Sequence, residues 1–163
     1  MFGIAMLMPL FSASSGHAGQ PVRFDSSAYR PGTIIVDHSE RRLYLVEAPG
    51  RARLYQVAVA KPGKEWWGRT YVDGKHIRPA WAPPASVKRD NPSLPNVIAG
   101  GAPNNPMGVA ALTLAGDEYA IHGTNRPGLI GRAVSYGCIR MRNADILDLY
   151  ARIRVGAPVI MRR

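Results

Sequence analysis

The sequence contains very little cysteine, since Cys138 is the only one among 163 residues. A single thiol excludes an internal disulfide and argues against a structural zinc site, and we expect no cofactor. In an oxidising compartment, a lone thiol is a liability unless it has a use. The thiol is therefore either a small buried side chain or a reactive group, and its neighbours in the sequence decide between these alternatives.

Acidic residues are also scarce, with 11 Asp and Glu against 21 Lys and Arg, which gives a net charge of +10. Such a charge indicates an anionic partner, and composition alone does not choose between nucleic acid and an anionic wall polymer. The basic residues are scattered in short pairs such as Arg41-Arg42 and Lys88-Arg89, without a basic helix or a nucleic-acid module. We therefore expect no nucleic-acid partner.

Long hydrophobic runs are missing, so no membrane span is expected. The apolar residues 1–11 precede a small and polar run, residues 12–19, and the first charged residue is Arg23. Because this arrangement resembles a secretory signal, residues 1–18 are expected to form a signal peptide cleaved after Ala18, with export to the periplasm or cell wall. The positively charged start of such a signal is missing, and a poorly ordered or buried N-terminus is the alternative.

Glycine and proline are abundant, at 17 and 14 residues, which favours short strands joined by many loops. The length fits one domain. We predict a mostly β protein built on a compact, mostly antiparallel sheet or barrel. Residues 61–106 show only a short hairpin signal at Asp73-Gly74 and a helical turn near residues 85–89. The predicted strands are 33–37, 43–47, 54–60, 109–114, 118–122 and 157–161, with a hairpin at 38–42 and a turn at Gly116-Asp117.

One helix is predicted, near the C-terminus and before the last strand. Asn143 can cap its start and Asp145 suits its first turn, and Gly156 and Pro158 stop it. Its apolar residues recur at helical spacing: Ile146, Leu149, Tyr150 and Ile153.

The residues that carry chemistry are concentrated around His122 and Cys138. His122 ends a predicted strand, and Cys138 lies in a glycine-flanked loop before the helix. A cysteine nucleophile needs an imidazole within hydrogen-bond reach, or a positive environment, to hold the thiolate. The backbone N–H groups of Gly137 and Cys138 are candidates for an oxyanion hole. From the residues alone, a catalytic pair and a packed histidine beside an inert thiol remain alternatives.

At these residues the sequence resembles the L,D-transpeptidase catalytic domain, the YkuD family. The resemblance rests on His122-Gly123-Thr124-Asn125 and on Ser135-Tyr136-Gly137-Cys138-Ile139-Arg140-Met141. It extends over about Pro31 to Met161, so residues 31–162 are expected to form the catalytic domain. The resemblance implies a β-sandwich or barrel-like catalytic fold that acts on peptidoglycan, without a metal.

The resemblance also implies a reaction. Cys138 would attack the L,D bond of a tetrapeptide stem and release D-alanine, and His122 would serve as base and acid. The backbone carbonyl of Gly123 would orient His122. The resulting thioester would pass to an amine, which gives a 3→3 cross-link or attachment of a wall-anchored protein, or to water.

Four further residues are expected to contact substrate: Arg140, Ser135, Tyr136 and Asn125. Arg140 would hold the thiolate or a stem carboxylate, although an ordinary ion pair is the alternative. Ser135 would shape the pocket or form a turn. Tyr136 stands where many relatives have a second histidine. Trp66 and Trp67 stand where many relatives have Thr-Pro, and they are interpreted as a substrate wall or as core.

Two other functions remain possible on the sequence. An L,D-carboxypeptidase would trim stems with water as the acceptor. A non-catalytic wall-binding module would hold anionic polymer through its positive charge, and the intact pair of His122 and Cys138 argues against it.

Overall fold

A computed structural model describes residues 18–116 and 118–163. The predicted signal peptide lies outside these residues except for Ala18, as does Asp117 of the predicted turn. Within the described residues, the helices are α1 (Ala85–Asp90) and α2 (Asn143–Arg152), with a short 3₁₀ helix at Pro127–Leu129. The strands are β1 (Gln20–Arg23), β2 (Ile34–Asp37), β3 (Arg42–Ala48), β4 (Arg51–Gln56), β5 (Val59–Ala60), β6 (Gly68–Ile77), β7 (Ala110–Leu114), β8 (Ala120–His122), β9 (Ala133–Ser135), β10 (Ile139–Arg140) and β11 (Pro158–Arg162).

The mostly β class is confirmed. Nine strands form one sheet in the order β1-β4-β3-β2-β11-β6-β7-β8-β10, and β5 pairs with β9 beside it. Most neighbours are antiparallel, whereas β2–β11, β8–β10 and β5–β9 are parallel. The parallel pair β8–β10 matters for the site, because it places Arg140, near the end of the motif that contains Cys138, beside His122, at the start of the other motif.

The predicted hairpin between β2 and β3 is confirmed, with Ile34 opposite Leu45 and Arg41 at a positive φ of 55° in the turn. Strand β2 is buried on both faces. Ile34 and Val36 enter the main core, whereas Ile35 enters a second cluster with Tyr44, Val46 and Ala52. This central position explains why its sequence is continuously apolar.

The predicted strand 54–60 is wrong in its continuity. The chain leaves β4 at Gln56, and Ala58 then bridges to Arg140 instead of continuing along β3. Residues 57–60 are all buried, so the alternation of buried and exposed residues does not continue beyond β4. The break places β5 beside β9, the strand that leads into the loop that carries Cys138.

The hairpin predicted at Asp73-Gly74 is also wrong, because both residues lie within β6. The register of β6 against β7 shifts between Val72 and Gly74, which marks a β-bulge. A Cβ on Gly74 would lie 2.6 Å from Thr113 Oγ1, so the glycine serves a close approach between strands and not a turn. The first half of β6 pairs with β11 and the second half with β7.

Helix α2 is confirmed, and so is the short helical turn at α1. Ile146, Leu149 and Ile153 are buried against the sheet, and Lys75 Nζ donates to the carbonyls of Tyr150 and Ile153 at its end, at 2.7 and 2.6 Å. The predicted cap by Asn143 is wrong, because the residue before the helix is Arg142 and no side chain caps it. No helix in the described part of the chain is long and apolar enough to cross a membrane.

Candidate active site

His122 is the last residue of β8 and is buried, with 3% of its surface exposed. It lies opposite Ala111 of β7 on one side and Arg140 of β10 on the other. Its carbonyl accepts a hydrogen bond from Met141 N at 2.8 Å. Because strands flank it on both sides, the imidazole has a fixed position at the floor of the site.

The ring nitrogen Nδ1 of His122 lies 2.7 Å from the carbonyl oxygen of Gly123. A carbonyl can only accept, so Nδ1 carries the proton and Nε2 keeps its lone pair. This is the contact that the family resemblance implied for Gly123. A Cβ on Gly123 would lie 2.3 Å from Asn143 Oδ1, so the carbonyl is held by a close-packed backbone.

Burial lowers the pKa of His122 from 6.5 to about 4, and the positive charge of Arg140 adds to this effect. The nearby carbonyls of Gly123, Met107 and Pro106 oppose it by favouring the protonated ring. The imidazole is therefore neutral at neutral pH. A neutral ring with a lone pair on Nε2 can accept a proton from a thiol.

This pKa predicts a stability loss on acidification. The unfolded histidine gains a proton near pH 6.5, whereas the folded one does so only near pH 4, so the free energy of unfolding falls between these values. The contribution of His122 is about 3 kcal/mol, from 1.36 kcal/mol per pKa unit. Urea titrations at several pH values measure the free energy of unfolding. Its loss on acidification should be smaller in His122→Gln than in wild type. In the control His76→Gln the loss should equal that of wild type, because His76 is exposed. An equal loss in wild type and His122→Gln would contradict the assignment.

Cys138 immediately precedes β10 and is half-buried. Its side chain lines a cavity of about 530 Å³ together with His122 and Arg140. Cys138 stands two residues before Arg140, which is paired with His122 in the parallel register of β8 and β10. The structure therefore brings the two motifs predicted from the sequence to one cavity.

Arg140 also lines this cavity, and burial lowers the pKa of its guanidinium, while the charge of Cys138 opposes that change. Its Nε is buried and has no hydrogen-bond partner among the described residues. No ion pair of Arg140 is found in the described part of the chain. The geometry therefore supports a charge that faces the thiol and the cavity more than an ordinary ion pair.

The loop from Ser135 to Cys138 is closed by its own hydrogen bonds. The Ser135 hydroxyl donates to the carbonyl of Cys138 and accepts from Gly137 N at 3.3 Å. Ser135 is 1% exposed, its hydroxyl forms the turn that was one of its two expected roles, and it also lines the cavity of Cys138. The N–H of Gly137 is engaged in this turn, which leaves the N–H of Cys138 as the stronger candidate for an oxyanion donor.

Tyr136 forms one wall of the cavity. Its hydroxyl donates to Asp90 of α1, and Lys61 Nζ lies 3.8 Å from the centre of its ring. Lys61 and Asp90 are themselves 3.7 Å apart. These contacts join the segment that contains α1 to the loop that carries Cys138.

Asn125 does not line this cavity. It lies in a neighbouring cavity of about 630 Å³, where its Nδ2 is 3.5 Å from the carbonyl of Pro103. The segment around Pro106 and Met107 belongs to the cavity of Cys138 instead.

Two asparagines that the sequence analysis did not assign to the site hold its backbone, Asn105, which is buried, and Asn143, which is half-buried. Asn105 Nδ2 donates to the carbonyls of Pro79 and Ala99 at 2.9 and 3.0 Å, and its Oδ1 accepts from Met107 N. Asn143 Oδ1 accepts from Val109 N at 3.4 Å and Thr124 N at 3.0 Å. In the sequence, a glycine precedes each backbone partner of Asn143: Gly108 precedes Val109, and Gly123 precedes Thr124. An added Cβ on Gly108 would lie 2.3 Å from Asn143 Oδ1, as it would on Gly123. These two glycines were the sequence signal available for this contact.

Replacing Asn143 by alanine should lower the free energy of unfolding by about 2 to 4 kcal/mol, because two backbone N–H groups lose their acceptor. Urea denaturation measures this change. Asn104→Ala is the matched control, since Asn104 is exposed, and it should leave stability within about 0.5 kcal/mol of wild type. Equal stabilities of the two variants would show that Asn143 does not hold this backbone.

Among the described residues, no group of three or more His, Cys, Asp and Glu side chains is arranged to hold a metal ion. The arrangement at the cavity is instead a thiol, a neutral imidazole and a guanidinium.

Comparison with known proteins gives consistent matches. The family model YkuD, described as L,D-transpeptidase catalytic domain, matches residues 31–161. The chain is 38% identical over 134 residues to the probable L,D-transpeptidase ErfK/SrfK of Salmonella typhimurium, covering 77% of this chain and 42% of that protein. It is 37% identical over 134 residues to the probable L,D-transpeptidase YbiS of Escherichia coli, covering 77% of this chain and 43% of that protein. This chain therefore spans less than half the length of these two relatives.

A similar fold occurs in a solved structure, the NMR structure of the catalytic domain of an Enterococcus faecium L,D-transpeptidase acylated by ertapenem. The TM-score is 0.59 at 15% sequence identity, and the match covers 80% of this chain and 95% of that chain.

Proposed function

Because the chain belongs to the L,D-transpeptidase catalytic domain family, we propose that it is a peptidoglycan L,D-transpeptidase with Cys138 as its nucleophile. The observation that carries the proposal is the shared cavity of His122 and Cys138, in which the Gly123 carbonyl holds the imidazole in one tautomer. A volume of about 530 Å³ is in the range of sites that enclose small ligands or short peptide segments.

In the acylation step, Nε2 of His122 takes the thiol proton and the sulfur attacks the carbonyl between the third and fourth stem residues. The Sγ–C bond forms as negative charge develops on the carbonyl oxygen, near the N–H of Cys138. The C–N bond then breaks, and D-alanine leaves with the proton that His122 held. Arg140 favours the thiolate throughout this step by its positive charge.

In the second step, an amine of another stem attacks the thioester. The C–N bond of the 3→3 cross-link forms, the Sγ–C bond breaks, and the thiol regains its proton through His122. A lysine of a wall-anchored protein is an alternative amine. The net charge of +10 would hold the enzyme near an anionic wall.

The acceptor is tested by incubating the protein with a disaccharide tetrapeptide and analysing the products by mass spectrometry. Loss of D-alanine together with cross-linked dimers supports the transpeptidase. Tripeptide without dimers would assign an L,D-carboxypeptidase, and unchanged tetrapeptide would contradict both enzymes.

We also propose that the protein acts in the periplasm or cell wall after cleavage behind Ala18. The proposal rests on the apolar run at residues 1–11 and the small residues that follow it. The mass of the mature protein from its native host tests it, since a chain that retains Met1 in the soluble fraction would contradict export.

A further inference from the structure

Trp66 lies two residues before the start of β6 and is partly buried against the main core. Its indole is stacked on the ring of Tyr119, with ring centres 5.8 Å apart and planes inclined by 11°. Its Nε1 donates a hydrogen bond of 3.0 Å to the carbonyl oxygen of Gly137. The indole therefore holds the peptide group that joins Gly137 to Cys138.

This contact fixes the direction of the Cys138 N–H. The described residues contain no cis peptide bonds, and in a trans peptide the carbonyl and the N–H point in opposite directions. Trp66 lines a separate cavity of about 180 Å³, whereas Cys138 lines the site cavity, and the Tyr119 ring borders both. The Gly137 carbonyl thus points towards the indole, and the N–H of Cys138, a residue that lines the site cavity, points away from the indole.

The peptide group needs such a restraint because Gly137 adopts a φ of 129°, in a region where only glycine moves with ease. Without the indole N–H, the buried Gly137 carbonyl would lose its hydrogen-bond donor. The peptide group could then rotate until the carbonyl meets another donor. Such a rotation would also change the direction of the Cys138 N–H.

We propose that Trp66 is a positioning residue that holds the Cys138 N–H in the orientation required of an oxyanion donor. The inference rests on the proposed function, since it concerns the same reaction. It predicts that Trp66 affects acylation at a carbonyl, in which an oxyanion develops, and leaves simple alkylation of the thiol unaffected.

The test compares two reactions of the same thiol in wild type and Trp66→Phe. Ertapenem acylates the sulfur as its lactam C–N bond breaks and the nitrogen takes the proton, whereas iodoacetamide alkylates the sulfur and releases iodide. Intact-protein mass spectrometry follows both rates. The ratio of acylation to alkylation should fall about tenfold or more in Trp66→Phe. It should be unchanged in the matched control Trp67→Phe, because Trp67 is 45% exposed, packs on His38 and is not among the described residues that line the site cavity, so it does not form the predicted substrate wall.

An unchanged ratio in Trp66→Phe overturns the inference. Far-UV circular dichroism establishes that each variant is folded, and if Trp66→Phe does not fold, the ratio is measured on Trp66→Met, which keeps apolar volume without an N–H. If the proposed function is wrong, wild type itself will form no adduct with ertapenem. This outcome is distinct from an unchanged ratio in Trp66→Phe, which contradicts only the role of Trp66.

Discussion

Replacing Cys138 by alanine should abolish release of D-alanine from a tetrapeptide stem, with a fall in rate of at least about 1,000-fold. The substitution removes the atom that forms the covalent bond, and His122 alone has no nucleophile to activate. Mass spectrometry of the stem products over time measures this fall in rate.

The loss must be separated from unfolding. Cys138 is only half-buried and alanine is slightly smaller, so the thermal midpoint of Cys138→Ala should stay within a few degrees of wild type. A folded Cys138→Ala variant that still releases D-alanine would refute the thiol mechanism. Salt-sensitive binding to cell-wall sacculi with no turnover by wild type would instead assign the non-catalytic wall-binding module.

Replacing Gly137 by alanine should lower the free energy of unfolding by about 2 to 6 kcal/mol and remove activity. An added Cβ would lie 2.1 Å from Cε1 of Tyr119, and the φ of 129° is unfavourable for any residue with a side chain. The Tyr119 ring cannot retreat easily because Trp66 is stacked on it. Urea denaturation gives the stability change, and D-alanine release gives the activity.

Gly156→Ala is the matched control for backbone strain alone. Gly156 has a φ of 88°, and nothing lies within 4 Å of an added Cβ. The substitution should therefore lower the free energy of unfolding by only about 1 to 3 kcal/mol and leave turnover intact. In the double variant Gly137→Ala/Tyr119→Ala, the loss of unfolding free energy should be smaller than the sum of the losses in the two single variants, because the clash between the added Cβ and the Tyr119 ring is gone. Additive losses would show that the Tyr119 ring does not constrain Gly137.

The fold was predictable where hydrophobic patterns reflect local geometry. The apolar run in β3 reflects a strand buried on both faces, the helical spacing in α2 reflects one buried face, and both predicted elements are confirmed. Strand β6 was missed because its central Asp73-Gly74 carries the local signal of a hairpin. Only the approach of Thr113 from β7 shows why glycine is needed there.

The site was predictable in part for a similar reason. His122 and Cys138 are recognisable because their chemistry is rare in the chain and their motifs are short. The residues that hold them act across long sequence separations: Asn143 reaches Thr124, and Trp66 reaches Gly137, 71 residues away. Such contacts depend on how the strands are arranged, which no local pattern encodes.

The central claim, that Cys138 is a nucleophile activated beside His122, is tested most directly by the mass of the intact protein after exposure to ertapenem. We expect one adduct with the mass of the antibiotic, mapped to Cys138 by peptide sequencing and lost in Cys138→Ala. A wild-type protein that remains unmodified, or an adduct that persists in Cys138→Ala, would contradict it.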